Sequence, residues 1–511
     1  MDAKTKGFGI LILAALVAIS LPLITLLPSI KPSSVMDESA LQCKGCNVIF
    51  ISIDTLRADH LGSYGYFNKD ISPNIDALAG QGMLFSEAFS QVPFTPDSHL
   101  AMMNALYPLR SKMILASNAS SESKRNSSAG FVTLADVLKG NGYRTAAFVG
   151  NELVNSVKQG FEEFNAPKGV KADGITAKGV EWLKKNKDGR FFLFLHYWDA
   201  HFPYAPPAGY DTYNYSREPY YADERYGQKG LSARRQRTLD CDIRCDIAKY
   251  DGEISYVDDQ IGTLLREVDG LGLSNNTVIV ITSDHGENFG EHNMSDFGYP
   301  NEGPCLFHTF TLYDEEVHVP LILKGPNIPA DSRREGVVEL IDITPTLLDM
   351  LDVGMGRNTT YSFDGRSLLP LMAGDGNQSG YAISQLPKQI STGDARKMTF
   401  GIRTDGWKLV RLSTPKQVDL DKSVLQQSNG AMDYSEDNGT AQPDAVRLLF
   451  NLKDDPSESV NVARQENAAA SSLEMALLGR INDITSQAAP GTEVKIDKET
   501  EDLLRSLGYV S

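Results

Sequence analysis

The sequence predicts an α/β fold: a large, mostly parallel sheet flanked by helices, with a smaller C-terminal antiparallel sheet plus helix. Two observations lead there. Continuous apolar runs rich in β-branched and aromatic residues recur at 47–53 (NVIFISI), 144–149 (RTAAFV), 191–198 (FFLFLHYW), 277–283 (TVIVITS) and 319–324 (VPLILK), the pattern of strands buried on both faces. Between them lie helix-like segments, and strands alternating with helices favour parallel pairing.

The elements follow in chain order. Residues 8–30 carry no charge and are preceded by Lys4 and Lys6. A bilayer core takes about 20 apolar residues and a signal-peptide core about 7–15, so residues 1–31 are expected to hold an uncleaved transmembrane anchor with its N-terminus inside. The alternative is a cleaved signal and a secreted protein. Either way the bulk of the chain is exported, and eight N-x-S/T sequons, at Asn118, Asn126, Asn214, Asn275, Asn293, Asn358, Asn377 and Asn438, fit a glycoprotein. Residues 32–46 form a tether ending in CKGC. A main domain is expected over 47–385 and a smaller one over 386–511.

Helices are predicted from Ser72 (SPNIDALAGQG), from Thr133 (TLADVLKGNG), where Thr133 is a capping residue and glycines follow, and over 251–272. The Ser/Asn-rich segment 111–130 reads as a surface loop, and a second polar stretch spans 421–445. Around it, 399–412 and 447–458 read as strands of the smaller sheet, followed by helices over 465–488 and 499–507.

With 49 Lys+Arg against 66 Asp+Glu the 511-residue chain carries a net charge of −17. No basic run offers a face to phosphates, which excludes nucleic acid as a partner. Five cysteines fall at 43, 46, 241, 245 and 305. In an exported chain the two close pairs favour two local disulfides or one paired set over a four-cysteine zinc site, leaving Cys305 as the odd thiol.

In open α/β sheets ligands gather beyond the carboxyl ends of the strands. The residues there are Asp54 after the first run, Asp199 and His201 after the third, and Asp284 and His285 after the fourth, with Thr95 and Ser98 in VPFTPDSH between. Carboxylates and a histidine beside a hydroxyl suit a divalent cation that lowers the hydroxyl's pKa and screens a phosphate or sulfate ester. A plainer reading makes Asp284 a helix cap and His285 incidental. His60, His196 and His318 read as structural, and Trp198 and Tyr197 as packing or shaping a pocket mouth.

Four segments, NVIFISIDTLRADHLGSYGY, SPNIDALAGQGMLFSEAFSQVPFTPDSH, VIVITSDHGENFGEH and LYDEEVHVPLILKGP, together resemble the sulfatase family of the alkaline-phosphatase superfamily over about residues 47–350. GIRTDGWKLVRL, LFNLKDDPSESVNVA and LLRSLGYV extend the likeness weakly. The resemblance implies an alkaline-phosphatase-like sheet and a metal held by Asp54, Asp284 and His285 with Thr95. An imidazole at 285, and Thr55 where many sulfatases have a second aspartate, shift the preference toward zinc or manganese over calcium or magnesium. His201 and His308 match histidines that bind the substrate anion, protonate the leaving group or hold a second metal; His292, in the GEH that ends the Asp284 loop, is either a metal ligand or a residue that supports the site or the fold.

The departures from the family are informative. The formylglycine pentapeptide C/S-x-P-S-R appears as TPDSH, with Thr95 at the aldehyde position and His99 for arginine, and GKWHLG appears as GNELVN, with Asn151 for lysine. Threonine excludes formylglycine but is itself a nucleophile in related phosphodiesterases, phosphonate hydrolases and head-group phosphotransferases. The expectation is therefore a metal-dependent hydrolase of sulfate or phosphate esters of a glycan, lipid or small molecule. Thr95, His201 and His308 are its catalytic residues, His99, Asn151, His201 and His308 bind substrate, and Ser98 is the rival nucleophile. A non-catalytic cell-surface binding protein on the same fold is the reading from a different class.

Overall fold

Alternate residues of a strand face opposite sides of its sheet, and the first buried run shows what that does here. In the computed structural model β1 (Asn47–Ile53) is buried along its whole length. Ile49, Ile51 and Ile53 enter one apolar cluster, Val48 and Phe50 a second. The first cluster is covered by α1 (Pro73–Gly80), a helix at Ala172–Asn186 and a long one at Ile243–Gly270. The second is covered by α2 (Thr95–Asn104), α3 (Leu134–Gly140) and a helix at Ile343–Met350. The structure describes residues 36–66, 70–111, 131–167, 169–211, 243–293, 297, 304–355, 361–375, 380–386, 398–413 and 445–487.

The other main-sheet strands are β2 (Met83–Phe89), β3 (Arg144–Val149), β4 (Glu163–Asn165), β5 (Phe191–Tyr197), β6 (Thr277–Thr282), β9 (His318–Lys324) and β10 (Ser332–Glu339). They form one eight-stranded sheet in the order β10-β2-β9-β6-β1-β5-β3-β4. β1 lies between β5 and β6, parallel to both. β9 corrects the expectation from VPLILK: it runs antiparallel to β6 and to β2. A buried run carries no direction, and β9 follows β6 through the hairpin β7 (Asn288–Asn293) and β8 (Pro304–Phe307) rather than through a crossover helix.

Thr133 caps α3 in a reciprocal capping box with Asp136, as the sequence suggested. The long helix already includes Ile243, ahead of the predicted Asp251.

The smaller sheet, β11 (Ala382–Gln385), β12 (Phe400–Arg403), β13 (Trp407–Ser413) and β14 (Ala445–Asn451), is antiparallel throughout. A helix at Asn467–Ser486 packs Leu477, Ile481 and Ile484 into the cluster shared with this sheet. Ion pairs tie the smaller sheet to the main domain: Arg403 Nη2 of β12 reaches Glu87 Oε2 of β2 at 2.7 Å, and Lys408 Nζ of β13 reaches Asp314 Oδ1, in the helical turn before β9, at 2.7 Å.

Cys43 and Cys46 form a disulfide, Cys245 is disulfide-bonded, and Cys305 is a buried free thiol. Among the described residues no helix is long and apolar enough to cross a membrane. The predicted anchor at 8–30, Cys241, the loop at 112–130, the stretch at 421–444, the helix at 499–507 and the sequons at Asn118, Asn126, Asn214, Asn358, Asn377 and Asn438 lie outside the described residues.

Candidate active site

Two parallel strands and one helix assemble the site. β1 and β6 run in register, Ser52 opposite Thr282, so the residues just past their ends, Asp54 and Asp284, stand side by side. Thr95 opens α2, which is stapled to both strand ends. Ser98 Oγ donates to the Asp284 carbonyl at 2.7 Å, and His99 donates from Nδ1 to the Thr95 carbonyl at 2.8 Å and accepts at Nε2 from Ser52 Oγ at 2.9 Å.

Asp54, Asp284 and His285, all fully buried, each offer one ligand atom within 4.8 Å of the others. Thr95 Oγ1 faces them, 3.5 Å from Asp54 Oδ2 and 3.3 Å from His285 Nε2. His285 donates from Nδ1 to the Gly286 carbonyl at 3.0 Å, which leaves its lone pair on Nε2 and fixes the ring as a ligating histidine is usually fixed. Asp54 Oδ1 and Asp284 Oδ2 are buried without a hydrogen-bond partner. Two orphaned carboxylate oxygens, an imidazole lone pair and a hydroxyl at one point suit a divalent cation. Asp284 is no helix cap, because the chain continues into β7.

The electrostatics agree with that donor set. Burial first, then the charges of Asp284 and Glu287, push Asp54 well above the usual carboxylate range. Burial works the same way on Asp284, but the imidazoles of His285, His99 and His196 outweigh it and hold Asp284 low. Burial lowers His285, His201 and His308 each to about 4, so at neutral pH all three carry a lone pair.

His201 and His308 continue outward from His285. The His308 ring lies 4.4 Å from that of His285 and 5.0 Å from that of His201. His201 stacks on Trp198 at 3.8 Å and donates from Nδ1 to the Phe202 carbonyl at 2.6 Å. His308 Nδ1 donates to Glu287 Oε1 at 2.9 Å.

The remaining candidates are placed differently. Ser98 Oγ is spent on the Asp284 carbonyl and lies 3.1 Å from Ser90 Oγ. His99, expected against the substrate, is fully buried beneath the site with both ring nitrogens bonded. A histidine is too short to reach out from this turn as the arginine it replaces would. Asn151 caps the turn Glu152–Val157 by accepting from Leu153 N at 2.8 Å. His292 stacks on Tyr313 at 3.5 Å and lies 3.4 Å from Glu315 Oε1.

Three contributors were missed. His196, read as structural, donates from Nε2 to Asp54 Oδ2 at 3.1 Å. Its signal is register, since it sits opposite Ser52 on β5. Thr55 takes a left-handed φ of 57°, uncommon for a β-branched residue. There its N–H donates to Asp284 Oδ1 at 3.2 Å and its hydroxyl turns away to the Ala200 carbonyl. Glu287, fully buried and raised by burial to about 7, gave no sequence signal beyond an acidic loop position.

The sheet with its site at the carboxyl ends defines an alkaline-phosphatase-like hydrolase, and comparison with known proteins narrows the class. The chain belongs to the sulfatase family of that superfamily, a family of metal-dependent sulfuric ester hydrolases: the sulfatase family model matches residues 46–353, and the model "N-sulphoglucosamine sulphohydrolase, C-terminal" matches 305–424. Arylsulfatase K of Bos taurus is 23% identical over 80% of this chain and 77% of its own. The multifunctional alkaline phosphatase superfamily protein PehA of Trinickia caryophylli is 30% identical over 58% of this chain and 56% of its own. Among solved structures, the sulfatase yidJ of Bacteroides fragilis aligns with TM-score 0.66 at 20% identity, covering 88% of this chain and 98% of that one. The phosphonate monoester hydrolase of Agrobacterium radiobacter aligns with TM-score 0.61 at 19% identity, covering 89% and 98%.

Proposed function

We propose that the chain is an extracytoplasmic, membrane-anchored hydrolase of sulfate esters that uses Thr95 as its nucleophile. The observation that carries this reading is the Thr95 hydroxyl lying 3.5 Å from Asp54 and 3.3 Å from His285, within the one Asp/Asp/His group found among the described residues. A divalent cation held by Asp54, Asp284, His285 and Thr95 would lower the pKa of the hydroxyl and screen the ester's charge, with the nitrogen donor favouring zinc or manganese.

The chain's own residues supply the rest. Thr95 sits at the N-terminus of α2, where the helix dipole favours an anion. Its Oγ, having given its proton to solvent, attacks sulfur as the bond to the leaving oxygen breaks; the leaving oxygen departs with that electron pair and takes up a proton, and the resulting threonine sulfate ester is then cleaved by water. His201 and His308, each with Nδ1–H committed, present Nε2 toward the leaving group and the water. Asp199 Oδ1 accepts from Ala172 N at 3.2 Å, and the stacked Trp198 supports His201, fixing the wall of the pocket.

Phosphorus esters are the second reading, supported by threonine at the nucleophile position and by the likeness to PehA and to a phosphonate monoester hydrolase. The test is hydrolysis of nitrophenyl sulfate, phosphate, phosphodiester and phosphonate by the purified chain with added zinc, manganese or calcium, beside Thr95→Ala and Ser98→Ala. Metal-dependent turnover lost in Thr95→Ala and kept in Ser98→Ala supports the reading, and the best ester names the reaction. Bound metal with no turnover on any ester overturns it in favour of a binding protein. Membrane fractionation of the chain with and without residues 8–30 tests the anchor.

A further inference from the structure

One buried acid beside the site takes no part in the Thr95 chemistry. Glu287 has no exposed surface, and both its oxygens are held: Oε1 accepts from His308 Nδ1 at 2.9 Å and Oε2 accepts from the Tyr204 hydroxyl at 2.9 Å. Its backbone is pinned too, since Arg57 Nη1 donates to the Glu287 carbonyl at 3.1 Å. Tyr204 is itself buried and packs edge-on against Tyr250 at 5.7 Å. The carboxylate therefore has one orientation, and it holds the His308 ring with Nδ1–H inward and the Nε2 lone pair outward. His308 is only 13% exposed, and its ring touches those of His285 and His201 on the side of the site where Thr95 lies.

A buried carboxylate, then an imidazole, then a hydroxyl nucleophile is the order in which acyl-transfer triads are built, where the acid fixes the tautomer and stabilises the imidazolium that forms. The order differs here in one respect: the imidazole nearest Thr95 is His285, which belongs to the metal donor set, and His308 stands one ring further out. That position suits the water of the second step better than the Thr95 hydroxyl of the first. We propose that Glu287 is a positioning residue that, with Tyr204 behind it, sets His308 as the base for hydrolysis of the covalent intermediate. This rests on the reading of Thr95 as nucleophile. In the step itself His308 Nε2 takes a proton from water, the water oxygen bonds to the sulfur (or phosphorus) of the Thr95 ester, and the bond from that atom to Thr95 Oγ breaks. The electron pair returns to Oγ. The proton on His308 is then returned to Oγ as the product anion departs, restoring the neutral ring and the Thr95 hydroxyl. No oxidant or co-reactant is consumed.

The test is pre-steady-state kinetics of the full chain, metal-loaded, on nitrophenyl sulfate and nitrophenyl phosphonate, comparing wild type, Glu287→Gln, His308→Ala and the double variant, with metal content measured for each. Gln fills the same space and can still bond both Tyr204 and His308, so a merely structural role is satisfied by it. The expected result is a first turnover within about threefold of wild type and a steady state slowed about 100-fold, the range for a lost general base. Glu287→Gln then shows a stoichiometric burst of nitrophenol, and intact mass shows one sulfuryl or phosphonyl group on the protein. The double variant is no slower than His308→Ala, because the two residues act as a unit. Should His308→Ala lose its fold, the burst and the adduct in Glu287→Gln decide alone. Wild-type turnover without a burst in Glu287→Gln overturns the proposal, as does an equal loss in both phases or additive losses in the double variant. An inactive wild type, or turnover surviving in Thr95→Ala, overturns the functional reading on which the dyad stands.

Discussion

Replacing Asp54 by asparagine separates what this site costs the fold from what it does for a cation. Asp54 is fully buried, its Oδ1 lacks a hydrogen-bond partner, and burial with the neighbouring Asp284 and Glu287 charges raises its pKa well above the usual range. Leaving one oxygen of a buried carboxylate unsatisfied costs about 1–3 kcal/mol. Asparagine has the same shape. Its carbonyl can still accept from His196 Nε2, as Asp54 Oδ2 does at 3.1 Å, and its NH2 can donate toward the unpartnered Asp284 Oδ2.

In chelator near neutral pH, Asp54→Asn should therefore gain about 2 kcal/mol, a rise of a few degrees in Tm. The sign with pH is fixed by the raised pKa. Below the ordinary carboxylate value of about 3.9 wild-type Asp54 is protonated in both folded and unfolded chains, and the advantage of asparagine vanishes. It appears as pH rises, because wild type must then either ionise a buried group or hold a proton the unfolded chain releases. Added zinc or manganese reverses the ranking: at one hundred times Kd a bound cation stabilises wild type by about 2.7 kcal/mol, and the variant loses most of that. Thermal denaturation at neutral pH and near pH 4, with chelator or with metal, reads all of this. A variant less stable than wild type in chelator, or one that keeps the full metal-induced gain, refutes the reasoning.

Two further outcomes are expected. Although burial alone would lower it, the Glu315 carboxylate raises His292 to about 9, so this pair contributes stability that is complete below about pH 6.5 and is lost as pH rises through about 9. His292→Asn should remove up to about 3 kcal/mol at neutral pH and flatten the stability profile across that window, as chemical denaturation at several pH values would show; an unchanged profile counts against the pair. Thr133→Ala removes the hydroxyl that accepts from Asp136 N at 3.1 Å in the α3 capping box. It should cost about 1 kcal/mol while leaving metal affinity as it was, and a change in affinity would mean that α3 reaches the site.

The sequence revealed the elements whose residues all share one environment and hid those that do not. β1, β3, β5, β6 and β9 are continuous apolar runs because both faces of the sheet are covered. β10 lies on the sheet edge with charged Arg333, Arg334 and Glu335, and β2 carries Ser86 and Glu87 within it, so neither shows a run. The direction of β9 was illegible because burial is the same whichever way a strand points. At the site, Asp54, Asp284 and His285 stood out as polar residues just past buried runs, and Thr95 through its likeness to a known motif. His196 was hidden inside such a run, where a histidine looks like packing. Glu287 and Tyr204 become visible only when the hairpin and the 199–205 segment are folded against each other. His99 and Asn151 show the reverse case: they align with anion-binding positions, but the shorter side chains are used within the fold.

The most direct test of the central claim is to quench the metal-loaded chain during turnover of nitrophenyl phosphonate and of nitrophenyl sulfate and to map the covalent adduct by peptide mass spectrometry. The structure predicts the phosphonyl or sulfuryl group on Thr95, where the hydroxyl meets Asp54 and His285. An adduct on Ser98, or continued turnover with Thr95 unmodified in the quenched enzyme and replaceable by alanine, contradicts it.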